Sequence, residues 1–209
     1  MHKDGKVLAT HNGPTNKPFQ FTVPSPKLWS PDSPNLYNVT VKLDKDEVES
    51  YTGFRTISRG KVDGIERPLL NGEFIFMFGT LDQGYWPDGL YTPPTREAMV
   101  YDLQVLKKLG FNMVRKHVSY IDNVLSSGLI LTLSQIKVEP ELFYQACDEL
   151  GLLVIQDMPS LRPSQSKHVE NCKSVPILPD EKQQAEFTRQ LDVLVNQFKS
   201  FPSIATWVS

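Results

Sequence analysis

Between residues 19 and 58 apolar and polar positions alternate in short runs, FQFTV, LYNVTVKL and VESYTGFRTI. A period of two sends successive side chains to opposite faces of an extended chain, so each run predicts a strand. In the middle run Tyr37, Val39, Val41 and Leu43 share the more apolar face, which predicts a half-buried antiparallel strand. The connection SPKLWSPDSPN carries Pro26, Pro31 and Pro34 and predicts a rigid loop. A linker is expected near Lys61 to Pro68.

Beyond it the period changes, and strand alternates with helix. FIFMFGT (74–80) is a continuous apolar run, the pattern of a strand buried on both faces. Thr95 predicts an N-cap, Met99, Val100, Leu103 and Leu106 recur on a helical period, and Lys107, Lys108 and Gly110 mark the end. NMVRKH is the second strand. EPELFYQACDELG is the second helix, with Pro140 in its first turn, Phe143, Cys147 and Leu150 as its buried stripe and Gly151 as its stop. LLVIQDMP follows as a strand. Asp180 caps a third helix with Gln183 placed for a capping box, and Phe187, Leu191, Leu194, Val195 and Phe198 form its apolar stripe. IATWV is the fourth strand.

Four strand–helix alternations predict a parallel sheet, either doubly wound or the first half of an eight-stranded barrel. No GxGxxG or GxxxxGK[ST] follows any strand, which removes the phosphate-cradling loops of nucleotide-binding sheets. Polar and aromatic residues gather instead at strand C-terminal ends: Asp82, Trp86 and Asp88, then Arg115, Lys116 and His117, then Gln156 and Asp157. In a barrel that edge is the catalytic face.

Composition narrows the partners. The 209 residues carry a formal net charge of -2, so no basic field points to nucleic acid and no polybasic stretch to a membrane surface. Cys147 and Cys172 lie far apart without CxxC or Cys/His spacing, so no zinc site, other metal or cofactor is expected. The opening MHKDGKVLATHNG has no apolar signal core and no apolar run is long enough to span a bilayer; a cytoplasmic location is expected, with the sequon Asn38-Val39-Thr40 unused.

Taken in order, LWSPDSPNLYNVTVKL with GFRTI, LLNGEFIFMFGT, NMVRKH, EPELFYQACDELGLLVIQDMP and FPSIATWV resemble glycoside hydrolase family 2, the family of β-galactosidases, β-glucuronidases and β-mannosidases. The resemblance implies the end of an immunoglobulin-like β-sandwich over 1–60, then the first four strands of a (β/α)8 TIM barrel over 61–209. It departs from the galactosidase form: GTLDQGYWPDG replaces Arg-Gly-x-Asn-x-His-Glu, and Trp86, Pro87 and Asp88 with Gln156-Asp157 are closer to mannosidase-type relatives. His117 lies one place off the usual Arg-x-Ser-His pattern.

The family hydrolyses β-glycosides with retention, one carboxyl serving as acid/base and another as nucleophile. The resemblance makes Asp82, Asp88 and Asp157 acceptors for sugar hydroxyls, Arg115 a fork that orders carboxylates, His117 a sugar contact, and Trp86 and Trp207 stacking platforms. In the family the acid/base Glu sits in a Trp-x-x-x-Asn-Glu setting after the fourth strand, whereas here the text reads Ala205-Thr206-Trp207-Val208-Ser209; the nucleophile is absent too. The chain as written is therefore expected to be an inactive fragment, truncated at both ends. The alternative is a non-catalytic carbohydrate-binding or scaffold protein.

One stretch fits no element of this plan. VSYIDNVLSSGLILTLSQ (118–135) interrupts a βα connection, and its removal leaves a loop of ordinary length. Val118-Ser119 can be encoded as a splice donor, Leu131-Thr132 as a branch site and Gln135 as an acceptor, so the stretch reads as a translated intron without a packed position in the fold. A functional loop is the competing reading.

Overall fold

The structure, a computed structural model, describes residues 1–117, 119–124, 130–135, 137–158 and 179–208. Four strands, β1 (His2–Lys3), β2 (Lys6–Val7), β3 (Tyr37–Leu43) and β4 (Asp46–Thr52), form an antiparallel sheet in the order β2-β1-β3-β4. A second antiparallel sheet joins β5 (Ile57–Val62), β6 (Ile65–Leu70) and β7 (Glu73–Phe74). The segment expected as a linker is therefore a hairpin, and residue 60 lies inside β5. Its cause is Asp63-Gly64, whose φ angles of 52° and 79° are those of a turn matched to strand twist; Asn71-Gly72, at 55° and 85°, turns the chain again into β7.

Two apolar runs behave differently from their pattern. FQFTV forms no strand: between Pro18 and Pro24, the Phe19 ring stacks on His11 at 4.1 Å and on Phe21 at 6.0 Å. FIFMFGT is divided between β7 and β8 (Gly79–Asp82), with Phe76 68% and Phe78 49% exposed rather than buried. The reason is that β8 is the edge strand of its sheet, so no further layer covers its approach. Asn112 holds that approach instead, its Oδ1 accepting the Phe78 N–H at 2.8 Å while its Nδ2 donates to the Phe76 carbonyl at 2.9 Å. Gly79 can begin β8 because any Cβ there would collide with the Met113 carbonyl.

The larger unit follows: α1 (Arg96–Lys108), β9 (Met113–Lys116), a separate hairpin of β10 (Ser119–Val124) and β11 (Ile130–Gln135), then α2 (Glu141–Leu150), β12 (Leu153–Asp157), α3 (Glu181–Phe198) and β13 (Ile204–Val208). The predicted signals act as expected. Thr95 accepts the Ala98 N–H, Asp180 and Gln183 form a reciprocal capping box, and Gly110 and Gly151 take φ of 86° and 73°. Strands β8, β9, β12 and β13 pair in parallel, in the order in which they occur along the chain, with the β10–β11 pair left outside the sheet.

Residues paired in parallel register share a face. Val114 and Val154 are partners, and both belong to a buried cluster with Met99 and Leu103 of α1, Phe143, Tyr144 and Cys147 of α2, and Leu194 and Phe198 of α3. All three helices thus cover one face. On the opposite face Leu81 and Val208 are 49% and 38% exposed.

The antiparallel part is tied to this layer by a seam of polar contacts. The Trp29 ring is fully buried, and its Nε1–H donates to the Asp148 carbonyl of α2 at 2.9 Å. Arg55 donates to the Pro202 and Ile204 carbonyls at 2.9 and 2.7 Å, and Lys107 Nζ donates to those of Pro31 and Gly151, both at 3.0 Å.

Stretch 118–135, expected to have no packed position in the fold, contains a six-pair ladder from Ser119↔Gln135 to Val124↔Ile130. Two neighbouring runs rich in Ile, Leu, Val and Thr satisfy each other's backbone without help from the rest of the fold. Among the described strands, β10 and β11 pair only with each other.

Candidate functional site

The C-terminal ends of β8, β9 and β12 bring most of the predicted residues to one edge, but the pleat divides them. Asp82 is in register with Lys116, and Lys116 with Gln156, all on the helix-covered face. Arg115, His117 and Asp157 fall on the other.

On the open face Arg115 lays its fork across Asp157, Nε to Oδ1 at 3.1 Å and Nη2 to Oδ2 at 3.0 Å. That bond raises the already high guanidinium pKa. His117 Nδ1 stands 2.6 Å from Asp157 Oδ2. An ionised carboxylate only accepts, so Nδ1 carries the proton and Nε2 faces away from the pair. Asp157 is nearly buried while Arg115 and His117 are each about a third exposed, with side-chain exposures of 7%, 37% and 35%. Among the described residues Nη1 of Arg115 and Nε2 of His117 take no partner and stand beside a fixed anion.

Behind this edge lies a buried charge cluster. Lys116, 1% exposed, has Nζ 2.8 Å from Asp82 Oδ2 and 2.6 Å from Glu139 Oε1, and 4.9 Å from the Phe143 ring centre. Its N–H bonds are not aligned on either oxygen, so attraction rather than directed hydrogen bonding holds it. Lys137 shares Glu139 at 3.0 Å and donates to the Gly84 carbonyl at 2.9 Å, while Asp82 Oδ1 accepts the Gly84 N–H at 2.7 Å. The loop carrying Trp86 is thereby fastened to β8 and to the segment entering α2. Next to it the Tyr144 hydroxyl donates to Gln156 Oε1 at 2.6 Å, and burial raises its pKa, which keeps it a donor.

Of the remaining predicted residues, Trp86 is half-buried against the helical core and borders a cavity of about 700 Å³ with Asp82, Tyr85, Tyr101 and Glu139, on the α1 side of the sheet. Trp207, in register with Gln156, packs against the same core and not on the open face. Asp88 is exposed and joins neither group. Glu139, Lys137 and Tyr144 escaped sequence reasoning. Lys116 and Gln156 had a signal, since each stands two places after a core valine, Val114 and Val154, on the same face.

Among the described residues no group of three or more His, Cys, Asp or Glu converges to hold a metal ion, and no helix is long and apolar enough to cross a membrane. Cys147 is buried and its thiol pKa is pushed up by that burial; Cys172 lies outside the described residues.

The family model for Glycosyl hydrolases family 2 matches residues 2–55. A beta-galactosidase of Thermoanaerobacter pseudethanolicus is 32% identical over 146 residues, 67% of this chain and 17% of its own length. Beta-mannosidase B of Emericella nidulans is 26% identical over 214 residues, 98% of this chain and 22% of its own. This chain belongs to glycosyl hydrolases family 2. The fold agrees: the family 2 beta-galacturonidase of Eisenbergiella tayi, solved bound to galacturonate, superposes with a TM-score of 0.58 at 25% identity, over 87% of this chain and 27% of that one. The chain thus spans about a fifth of the curated relatives it matches.

Proposed function

We propose that the chain forms one wall of a retaining O-glycoside hydrolase, its antiparallel part the end of an immunoglobulin-like sandwich and its parallel sheet with α1, α2 and α3 the first half of a (β/α)8 barrel. Strand order supports this reading. A doubly wound sheet reverses its order and covers both faces, whereas here β8, β9, β12 and β13 run in sequence with helices on one face. The open face then lines the barrel interior, and the strand C-terminal edge faces the sugar.

The observation that carries the proposal is the Arg115–Asp157–His117 group. Asp157 accepts sugar hydroxyls beside the bonds it already takes, Arg115 Nη1 donates, and His117 offers Nε2 as a further polar contact. Asp82 at the end of β8 and Trp86 in the loop after it support the rim, and Asp88 reaches from the exposed tip of that loop. Retaining hydrolysis also needs two carboxyls about 5 to 5.5 Å apart across the anomeric carbon. We assign binding and orientation of the sugar to the residues of this wall; in the family the acid/base Glu follows the fourth strand, and the nucleophile lies farther along the chain. Aryl β-galactoside, β-mannoside and β-glucuronide should each be bound without turnover by the chain, with shifts of the His117 ring resonances on titration. Turnover lost in Asp157→Ala would overturn the binding-wall reading and place a catalytic carboxyl in this chain.

A further inference from the structure

The seam between the antiparallel part and the helical layer contains a carboxylate that sugar binding leaves unused. Asp148 of α2 is fully buried. Its Oδ2 accepts from the Tyr51 hydroxyl of β4 at 2.8 Å, and its Oδ1 accepts the Ser203 N–H, next to β13, at 2.7 Å. Its backbone carbonyl accepts from Trp29, as described. One residue thus holds three segments distant in sequence.

The groups around it do not neutralise it. Arg55, after β4, spends its Nε and Nη2 on the Pro202 and Ile204 carbonyls and attracts Asp148 only across space. Lys107 of α1 is bound to the Pro31 and Gly151 carbonyls. On α2 itself stand Glu141 and Glu149, which act on Tyr51, and the Cys147 thiol. Among the described residues Asp148 has no ion pair within 4.0 Å. Among the described residues Ser203 Oγ, buried beside it, has no aligned hydrogen-bond partner. A hydroxyl rotor can donate to a carboxylate or accept from a carboxylic acid, so it can follow a proton onto and off its neighbour.

We propose that Asp148 makes this seam a proton-operated latch, closed when its carboxyl is protonated and donates to Ser203 Oγ, and loosened when it ionises in a dry site. The protonated acid keeps a lone pair on each oxygen for Tyr51 and the Ser203 amide, so closing the latch breaks none of the bonds already present. Burial raises the Asp148 pKa to about 6, against the opposing pull of Ser203, Tyr51 and Arg55. The sign follows from linkage. A carboxyl whose folded pKa lies above its unfolded value of about 3.9 binds its proton more tightly when the seam is closed, so the contribution is complete below about pH 4 and lost as pH rises through 6. The seam is tighter in weak acid than at neutrality, the reverse of a salt-bridged carboxylate.

The test titrates the full chain. In wild type, carbon-13 shifts of the Asp148 carboxyl should give a midpoint near 6, and Tyr51→Phe, which removes a donor to the anion, should move it higher. Exchange of the Ser203 amide, corrected for intrinsic chemistry, should be slower at pH 5 than at pH 7.5 by up to about 10-fold, the part of a two-unit shift that falls between those two pH values. Asp148→Asn, neutral at every pH, should abolish that difference. A wild-type midpoint near 4, or a pH dependence that survives Asp148→Asn, overturns the latch. Should that variant fail to fold, the wild-type and Tyr51→Phe midpoints decide alone.

Discussion

The two faces of the parallel sheet are built from the same four strands and obey different rules. On the covered face the buried charges and amides are paired: Lys116 lies against the carboxylates of Asp82 and Glu139, and Gln156 bonds to Tyr144 and two carbonyls. On the open face Arg115, His117 and Asp157 bond to one another and still present unspent atoms outward. Charge buried in a low-dielectric layer costs several kcal/mol unless paired, while charge at a wet surface costs little. Polar residues on the covered face therefore serve the fold, and those on the open face are available to a ligand. One residue of offset along a strand separates the two roles.

The sharpest way to break this contrast is to remove the covered cation. Lys116→Ala leaves the Glu139 carboxylate, 4% exposed, sharing only Lys137, and should cost about 3 to 5 kcal/mol of stability in urea unfolding. A loss under about 1 kcal/mol would mean that the cluster is wet and the two faces are alike. Arg115→Ala, two atoms of contact on the open face, should cost no more than about 1 kcal/mol, because its partner keeps His117 and the arginine is partly solvated. The same variant should weaken glycoside binding, so a large stability loss with unchanged binding would reverse the assignment. The smallest effect is expected from deleting 118–135. We propose that this stretch is translated intron, and His117 joined to Ile136 leaves an ordinary βα connection. The melting temperature should hold or rise, and the genomic sequence should show GT and AG at its ends; a sharp drop in melting temperature would make the hairpin a working part of the fold.

Much of this was legible from local signals. Thr95, Asp180 with Gln183, Gly110 and Gly151 set helix ends by chemistry within a few residues, and the structure places them accordingly. Asp63-Gly64 carries an equally local signal, a two-residue turn inside the segment expected as a linker. FIFMFGT departs from its pattern for a different reason: an apolar run records what a strand can bury, not whether a neighbour is there to bury it. Asp148 lay hidden because an acidic residue near a helix end reads as solvated, although it stands four places after Tyr144 and one after Cys147, inside the buried stripe. Its partners, Tyr51, Trp29 and Ser203, come from segments that no periodicity connects.

The sequential strand order also sets a timetable for synthesis. Each strand of the parallel sheet leaves the ribosome next to the edge it will occupy, so the layer can grow one unit at a time. The seam cannot. Trp29 bonds to a residue 119 positions later, and Arg55 to residues 147 and 149 positions later. At about 5 to 20 residues per second of translation, the Trp29 ring waits roughly 6 to 24 s for its partner. During that interval an indole that ends fully buried is exposed on a nascent chain, and any chaperone that shelters this protein has its earliest target there.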